Sequence, residues 1–204
     1  MKKSAGLRRL QHTCLMKTAG QLWRQWRGRC AGADGSQIAE LAVSLPLMMA
    51  MMVGIMDFGQ AFNLKHKLET ATREGARFAS NQSSADLTNP APASVSSVRD
   101  VIRNYLLAAE INDCGLLAAV PVNAGLVWTY TANTGCPGTL TLTIDRGNTY
   151  PTTGGTPVTV EATHITISYP FQWRFNRVIK LVAPGANYPG LTQINAEATM
   201  QNLD

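Results

Sequence analysis

The sequence predicts an α+β protein: one long N-terminal helix, a second helix, and a small, mostly antiparallel sheet. Three observations carry this. Residues 35–80 pass from an apolar stretch into an amphipathic one with no turn signal between them. Val98, Val101, Ile102, Tyr105, Leu106 and Ala109 recur at spacings of three and four, the period of a single buried helical face. From residue 115 onward, apolar positions alternate with polar ones between Gly and Pro clusters, as in strands that bury one face. A length of 204 residues leaves room for one membrane segment and one domain of about 120 residues, enough for a single core.

The long helix comes first. Residues 41–56 contain no charge. With Ile38 and Ala39 before them and residues 58–62 after, they reach the roughly 20 residues that cross a hydrocarbon layer, provided Asp57 sits at headgroup level. Ser44, Pro46 and Gly54 are compatible with this, because Gly and Pro are commoner in membrane helices than in soluble ones. Further on, Lys65, Glu69, Arg73 and Arg77 form a charged stripe at four-residue spacing. Such pairs contribute only about 0.2–0.5 kcal/mol each, so the stripe marks a wet face. The opposite seam is Phe58, Ala61, Leu68, Ala71, Gly75 and Phe78. The small residues Ala71 and Gly75 permit close approach of another helix or of the domain's own sheet.

Charge is distributed unevenly. The formal net charge is +5. Before residue 36 stand eight basic residues against Asp34, or +7, which leaves ten basic and twelve acidic residues, or −2, for the remainder. The basicity therefore belongs to the leader, and an excess of Lys and Arg on one flank predicts a cytoplasmic N-terminus. Trp23 and Trp26 lie among these charges, where an interfacial role accounts for them without nucleic acid. Residues 6–27 read as a basic amphipathic helix lying on an anionic leaflet; a start at Met16 would shorten it. A cleaved secretory signal would need an apolar core of about 7–15 residues ending at a small-residue site. The run here is longer, begins far from Met1 and continues into an amphipathic helix, so retention as an anchor is expected.

Residues 81–97, rich in Ser, Asn, Pro and Ala with Asn89-Pro90 and Ala91-Pro92, read as a linker. Ser97 with Asp100 three residues later resembles a capping box opening the second helix. Strands are expected over residues 126–132 and 139–144, the latter with Leu140, Leu142 and Ile144 on one face. A flexible loop is expected over residues 147–157, containing Gly154-Gly155. Val158 and Val160 have one parity and Ile165, Ile167, Tyr169 and Phe171 the other, which predicts a bulge near residues 162–164. Pro170 suggests an edge or the end of that strand. Residues 175–182 suit a short helix stopped by Pro184-Gly185, and Ile194, Ala196, Ala198 and Met200 alternate as a last strand.

Cys14 and Cys30 lie in the leader, where a reducing cytoplasm keeps thiols. Cys114 and Cys136 lie beyond the apolar run and suit a disulfide in an oxidising compartment, the alternative being two buried thiols. Closing a loop of about 20 residues would add on the order of 3 kcal/mol. No CxxC and no His cluster accompanies them, which speaks against metal. Catalytic signatures are also missing: the sequence contains no GxSxG, HExxH or glycine-rich phosphate loop. Asp57-Phe58-Gly59 spells the kinase metal-binding triplet, but the catalytic loop that should accompany it is absent. Asp145 and Glu161 could face one another across strands, and His164 near the expected bulge reads as a packed or wet histidine. No cofactor and no enzymatic activity are expected.

Glu40 is the acid at the mouth of the apolar run. An ionisable group there is costly and implies a partner, the alternative being a side chain that snorkels to the headgroups. Gly35 stands five residues before it, after the basic leader. Glycine, four mostly neutral residues, glutamate and an apolar helix together resemble the processing signature of type IV prepilins. The stretches AELAVSLPLMM, GIMDFGQAF and TREGARFAS narrow the resemblance to the TadE-like family, minor pseudopilins of the tight-adherence (Flp) pilus and secretion system. They supply Asp57, Phe58, Gly59, Arg73, Glu74, Gly75 and Arg77 as motif residues. Leu41, where an aromatic residue often stands, and the long leader are departures.

The resemblance covers residues 35–80 and implies a pilin-like fold whose domain packs on the distal half of the helix. It also implies removal of a leader, residues 1–35, by a prepilin peptidase between Gly35 and Ser36. Residues 36–80 would then be the transmembrane and extended helix, residues 81–97 a linker, and residues 98–204 a periplasmic domain on a single-pass inner-membrane protein. Partners would be the peptidase, other pilin or pseudopilin subunits and the membrane, and the neutralising charge for a neighbour's freed amine would be Glu40. The alternative is an uncleaved membrane protein whose domain binds an envelope partner.

Overall fold

The structure is a computed structural model that describes residues 33–151, 159–182, 185 and 190–203. The basic leader up to residue 32, the Gly154-Gly155 loop, Val158 and Pro184 lie outside the described residues. The chain divides into two compact units, residues 1–52 and residues 53–204.

Helix α1 runs over Ala33–Ala79. In the first unit its large apolar side chains lie open: Ile38 is 70% exposed and Val43 78%. By length and composition it is the one helix among the described residues that suits a membrane crossing. In the second unit, residues 53–204, the same helix acquires a buried face: Leu68, Ala71, Thr72, Ala76 and Ala79 are all buried. The predicted seam is confirmed at Leu68, Ala71 and Gly75, while Phe58 is 60% exposed.

Helix α2 spans Ala93–Ala108 and buries Val95, Val98, Ile102 and Leu106. It begins four residues before the expected Ser97. The Ser97 hydroxyl donates back to the Ala93 carbonyl at 2.8 Å and Asp100 pairs with Arg99 at 2.7 Å, so neither serves as a cap. The cap is instead Asp86. Its Oδ2 accepts the Ser94 amide at 2.8 Å and its Oδ1 the Ser94 hydroxyl at 2.6 Å, satisfying one of the N–H groups that a helix start leaves open. The other end is closed by Lys67, whose Nζ donates to the Ala109 carbonyl at 2.8 Å.

Five antiparallel strands follow in the spatial order of the chain: β1 Val122–Ala124, β2 Val127–Ala132, β3 Leu140–Pro151, β4 Thr159–Gln172 and β5 Leu191–Gln201. A 3₁₀ turn, Leu116–Ala118, precedes them, and helix α3, Phe175–Val182, lies between β4 and β5. Register places Trp128 against Ile144, Tyr130 against Leu142, Leu142 against Ile167 and Ile167 against Ala196. These side chains form one face and share a core with α1 and α2. Full burial of each large apolar side chain contributes roughly 1.5–3 kcal/mol. The other face carries rows such as Thr129, Thr143, Thr166 and Glu197.

Three expectations are corrected. The loop predicted from residue 147 is strand as far as Pro151. The bulge sits opposite the predicted place but on β3: between the pairs Asp145↔His164 and Asn148↔Ala162, β3 has one residue more than β4. β4 itself pairs regularly with β5 throughout. Pro170 does not end β4, which continues to Gln172 paired with β5. Its missing N–H is harmless because pairing to β3 stops at Thr141↔Ser168.

Gly75 is a point of close approach. A Cβ there would come within 2.6 Å of Ile102 Cγ1 and 3.4 Å of Ile165 Cδ1. No side chain fits between α1, α2 and β4 at this level.

Candidate functional site

The candidate residues fall into two groups, each built on α1. In the first unit, Gly35 and Ser36 lie in the opening turns of the helix. The Ser36 hydroxyl donates to Glu40 Oε1 at 3.3 Å, and both side chains are exposed. Around Glu40 the surface is hydrocarbon, with Ile38, Leu41 and Val43 all more than half exposed. Within this unit, then, one carboxylate stands at the head of an apolar helix and carries only a local hydroxyl hydrogen bond among the described residues. Chemically it can accept a cation or a hydrogen-bond donor.

In the second unit Asp57 is 2% exposed. Its Oδ2 accepts the Phe175 amide at 2.5 Å, which makes it the cap of α3 across 118 positions of sequence. Gly54 faces the Phe175 ring, 3.5 Å from where a Cβ would stand. Phe58 meets Trp173 edge-on at 5.2 Å between centroids, and Phe171 meets Trp173 at 5.0 Å. The Trp173 indole donates to Thr192 Oγ1 at 2.7 Å. Asp57 and Phe58 thus clamp residues 171–175. Nothing would meet a Cβ on Gly59 within 4 Å.

The second motif, Arg73 to Arg77, divides by face. Arg73, Glu74 and Arg77 are exposed, with Arg73 and Lys65 each about a salt-bridge distance from Glu69, at 4.0 and 3.9 Å. Gly75 between them is the contact with α2 and β4 described above. The motif is therefore a packing notch flanked by solvated charges.

Two residues with structural roles carry no local sequence signal. Arg146, in the β3 bulge and 3% exposed, donates to the carbonyl of Ala79, the last residue of α1, and through Nη2 to the Gln82 carbonyl at 2.8 Å. A cation suits the negative end of a helix. Asp86 is the other. Burial alone would raise its carboxyl, but the hydrogen bonds from Ser94 outweigh this and hold it below its ordinary value.

Cys114 and Cys136 are joined, with Cα atoms 5.3 Å apart. Around the bridge, Tyr169 donates its hydroxyl to the Asn112 carbonyl at 3.1 Å and Asn112 donates its amide to Gly135 at 2.9 Å. Burial, aided by the negative charge of Asp113, raises the Tyr169 phenol; burial likewise raises that of Tyr130, against the Ser96 hydroxyl and the nearby Arg99.

Asp145 and Glu161 do not face each other: their partners are His164 and Thr149. Asp145 Oδ1 instead accepts the Gly147 amide at 2.9 Å in the bulge. His164 lies between Thr199 and Thr166 hydroxyls at 2.8 and 3.0 Å. Among the described residues no group of three or more His, Cys, Asp or Glu is placed to hold a metal. An open cleft of about 600 Å³ is lined by Ser84, Leu87, Pro90, Leu126, Arg146 and Glu161, among others.

Residues 35–77 match the family model of TadE-like proteins. The matched segment ends within α1 and includes Gly35, Glu40, Asp57 and Gly75. No curated protein and no solved structure matches the chain. The match and the apolar helix together fit a membrane protein associated with the tight-adherence pilus system.

Proposed function

From this TadE-like segment we propose that the chain is a minor pseudopilin supporting assembly of a tight-adherence (Flp) type IV pilus, with a structural role and not a catalytic one. A prepilin peptidase cuts between Gly35 and Ser36. These residues occupy the first turns of α1, where backbone N–H groups lack intrahelical partners and unwinding is cheapest. The product is a single-pass inner-membrane protein with a cytoplasmic N-terminus and residues 98–204 in the periplasm.

The observation that carries this reading is the contrast between an uncharged helical stretch over residues 41–56, whose large apolar side chains are mostly exposed, and the single acid at its head. Residues 41–62 pack against the helices of other pilin subunits. Glu40 neutralises the new amine of a neighbour in a low-dielectric setting, where an unpaired charge is heavily penalised. The open cleft near Arg146 favours a second reading, an uncleaved membrane protein whose domain holds an envelope partner there.

Mass spectrometry of the native N-terminus separates the two. A chain beginning at Ser36 supports the pseudopilin; one beginning at Met1 or Met16 supports the uncleaved receptor. Within the first reading, Glu40→Ala inserts normally but impairs pilus assembly, and unimpaired assembly would refute the pairing role.

A further inference from the structure

The clamp at Asp57 leaves one face of the second unit unassigned. Arg174 just before α3, and Arg177 and Lys180 within it, are exposed. No acid occurs between Trp173 and Val182. Among the described residues none of the three cations is in an ion pair. Phe175, Val178 and Ile179 are half-buried and, at 100° per residue, centre on the side of the helix opposite Arg177 and Lys180.

The position of this helix is fixed by Asp57, which holds the Phe175 amide at 2.5 Å and directly follows the uncharged run ending at Met56. Beside it stand three aromatic rings, Phe58, Phe171 and Trp173, in edge-to-face contact. Trp173 there keeps a polar tip bonded to Thr192. Aromatic rings with one polar end and cations on short amphipathic helices are the two kinds of group that settle at a bilayer surface.

We propose that α3 is a membrane-interface helix. Arg174, Arg177 and Lys180 bind the phosphates of anionic phospholipid headgroups in the leaflet where α1 leaves the bilayer, and the Phe58–Trp173–Phe171 cluster lies at headgroup depth. The proposal rests on the reading that α1 crosses a membrane. Charge selects the occupant: a second copy of α3 would bring the same three cations and be repelled, whereas an anionic leaflet attracts juxtamembrane Lys and Arg.

The test reconstitutes the full chain in vesicles of phosphatidylcholine alone or mixed with equal parts phosphatidylglycerol, and follows amide hydrogen exchange over residues 173–182. Exchange is expected to be about tenfold slower in the anionic vesicles. The difference should vanish in the combined Arg174→Gln, Arg177→Gln, Lys180→Gln variant, and for the unaltered chain at about 1 M salt, where screening acts over roughly 3 Å. Equal exchange in both vesicle types overturns the proposal. So does protection that follows the protein-to-lipid ratio and not the phosphatidylglycerol content, which would assign the face to a second copy. An alkaline carbonate wash separates the two levels. A chain stripped from both vesicle types overturns the membrane-spanning reading along with the interface helix. A chain that stays, with residues 173–182 indifferent to lipid charge, overturns the interface helix alone.

Discussion

Along α1, similar apolar side chains meet two different environments. Val43, Met48 and Ile55 are 78%, 66% and 71% exposed, whereas Leu68, Ala71 and Ala76 are at most 1% exposed. The distal stretch is a structural part of its own domain: α2 and the sheet cover it, Gly75 admits Ile102, and Lys67 and Arg146 bond across to neighbouring elements. The proximal stretch has the composition of a core without a core from its own unit, as a segment suited to a membrane crossing does. One helix therefore joins a segment whose sequence answers to its surroundings and a segment whose sequence answers to intramolecular packing.

Substitutions can break or sharpen this contrast. The largest effect is expected at the bridge: Cys136→Ser should lower the unfolding free energy of the detergent-solubilised chain by about 3 kcal/mol while leaving membrane insertion unchanged, which denaturant titration beside alkaline extraction would check. If insertion fell as well, the two stretches would not be separable.

Next come the two helical glycines. Gly75→Ala forces a methyl group onto Ile102 and should cost about 1–3 kcal/mol. Gly59→Ala meets nothing, and should be neutral or up to about 1 kcal/mol stabilising through helix propensity. Equal losses at both would contradict the division.

Asp86→Ala removes the α2 cap and should cost about 1 kcal/mol near neutral pH. The folded-state carboxyl titrates below its ordinary value of 3.8. Its contribution is therefore complete above that value and disappears as pH falls through the lower, folded-state value. The variant should show a shallower acid-side decline in thermal stability than the parent chain, and an identical decline would exclude the cap.

The smallest effect belongs to Met48→Ala, within about 0.5 kcal/mol for domain unfolding. Under the pseudopilin proposal its consequence is expected in pilus assembly instead.

What the sequence disclosed and what it hid follow from the range of each interaction. An unbroken apolar-to-amphipathic run exposed α1, helical period α2, and alternation the faces of β3 and β5, because those patterns are written in neighbouring residues. The parity conflict around residues 158–165 rightly signalled an irregular pair at that level of the sheet. Parity along one strand does not say which partner carries the extra residue, and it is β3 that does. Asp57 was visible as a motif residue, but its duty as a cap for Phe175 depends on a contact 118 positions away that no local pattern encodes. Asp86 was hidden for a related reason: a cap eight residues upstream of its target lies outside the three-residue spacing that marks a capping box. Arg146 sits in a strand where an arginine normally points to water, and only the fold brings it to the end of α1. Glu40 was fully legible as an exception to an apolar run, since what makes it notable is its immediate neighbourhood.

The guanidinium of Arg146 grips both the final carbonyl of α1 and the carbonyl of Gln82. Any force carried along the distal helix thus reaches the bulge of β3 through this side chain as well as through the peptide that follows Ala79. From there it spreads sideways through the β2, β3 and β4 ladders, whose many bonds share the load. Arg146 is therefore one of several ties between the helix and the domain, beside the buried face of α1 and the Lys67 bond to Ala109.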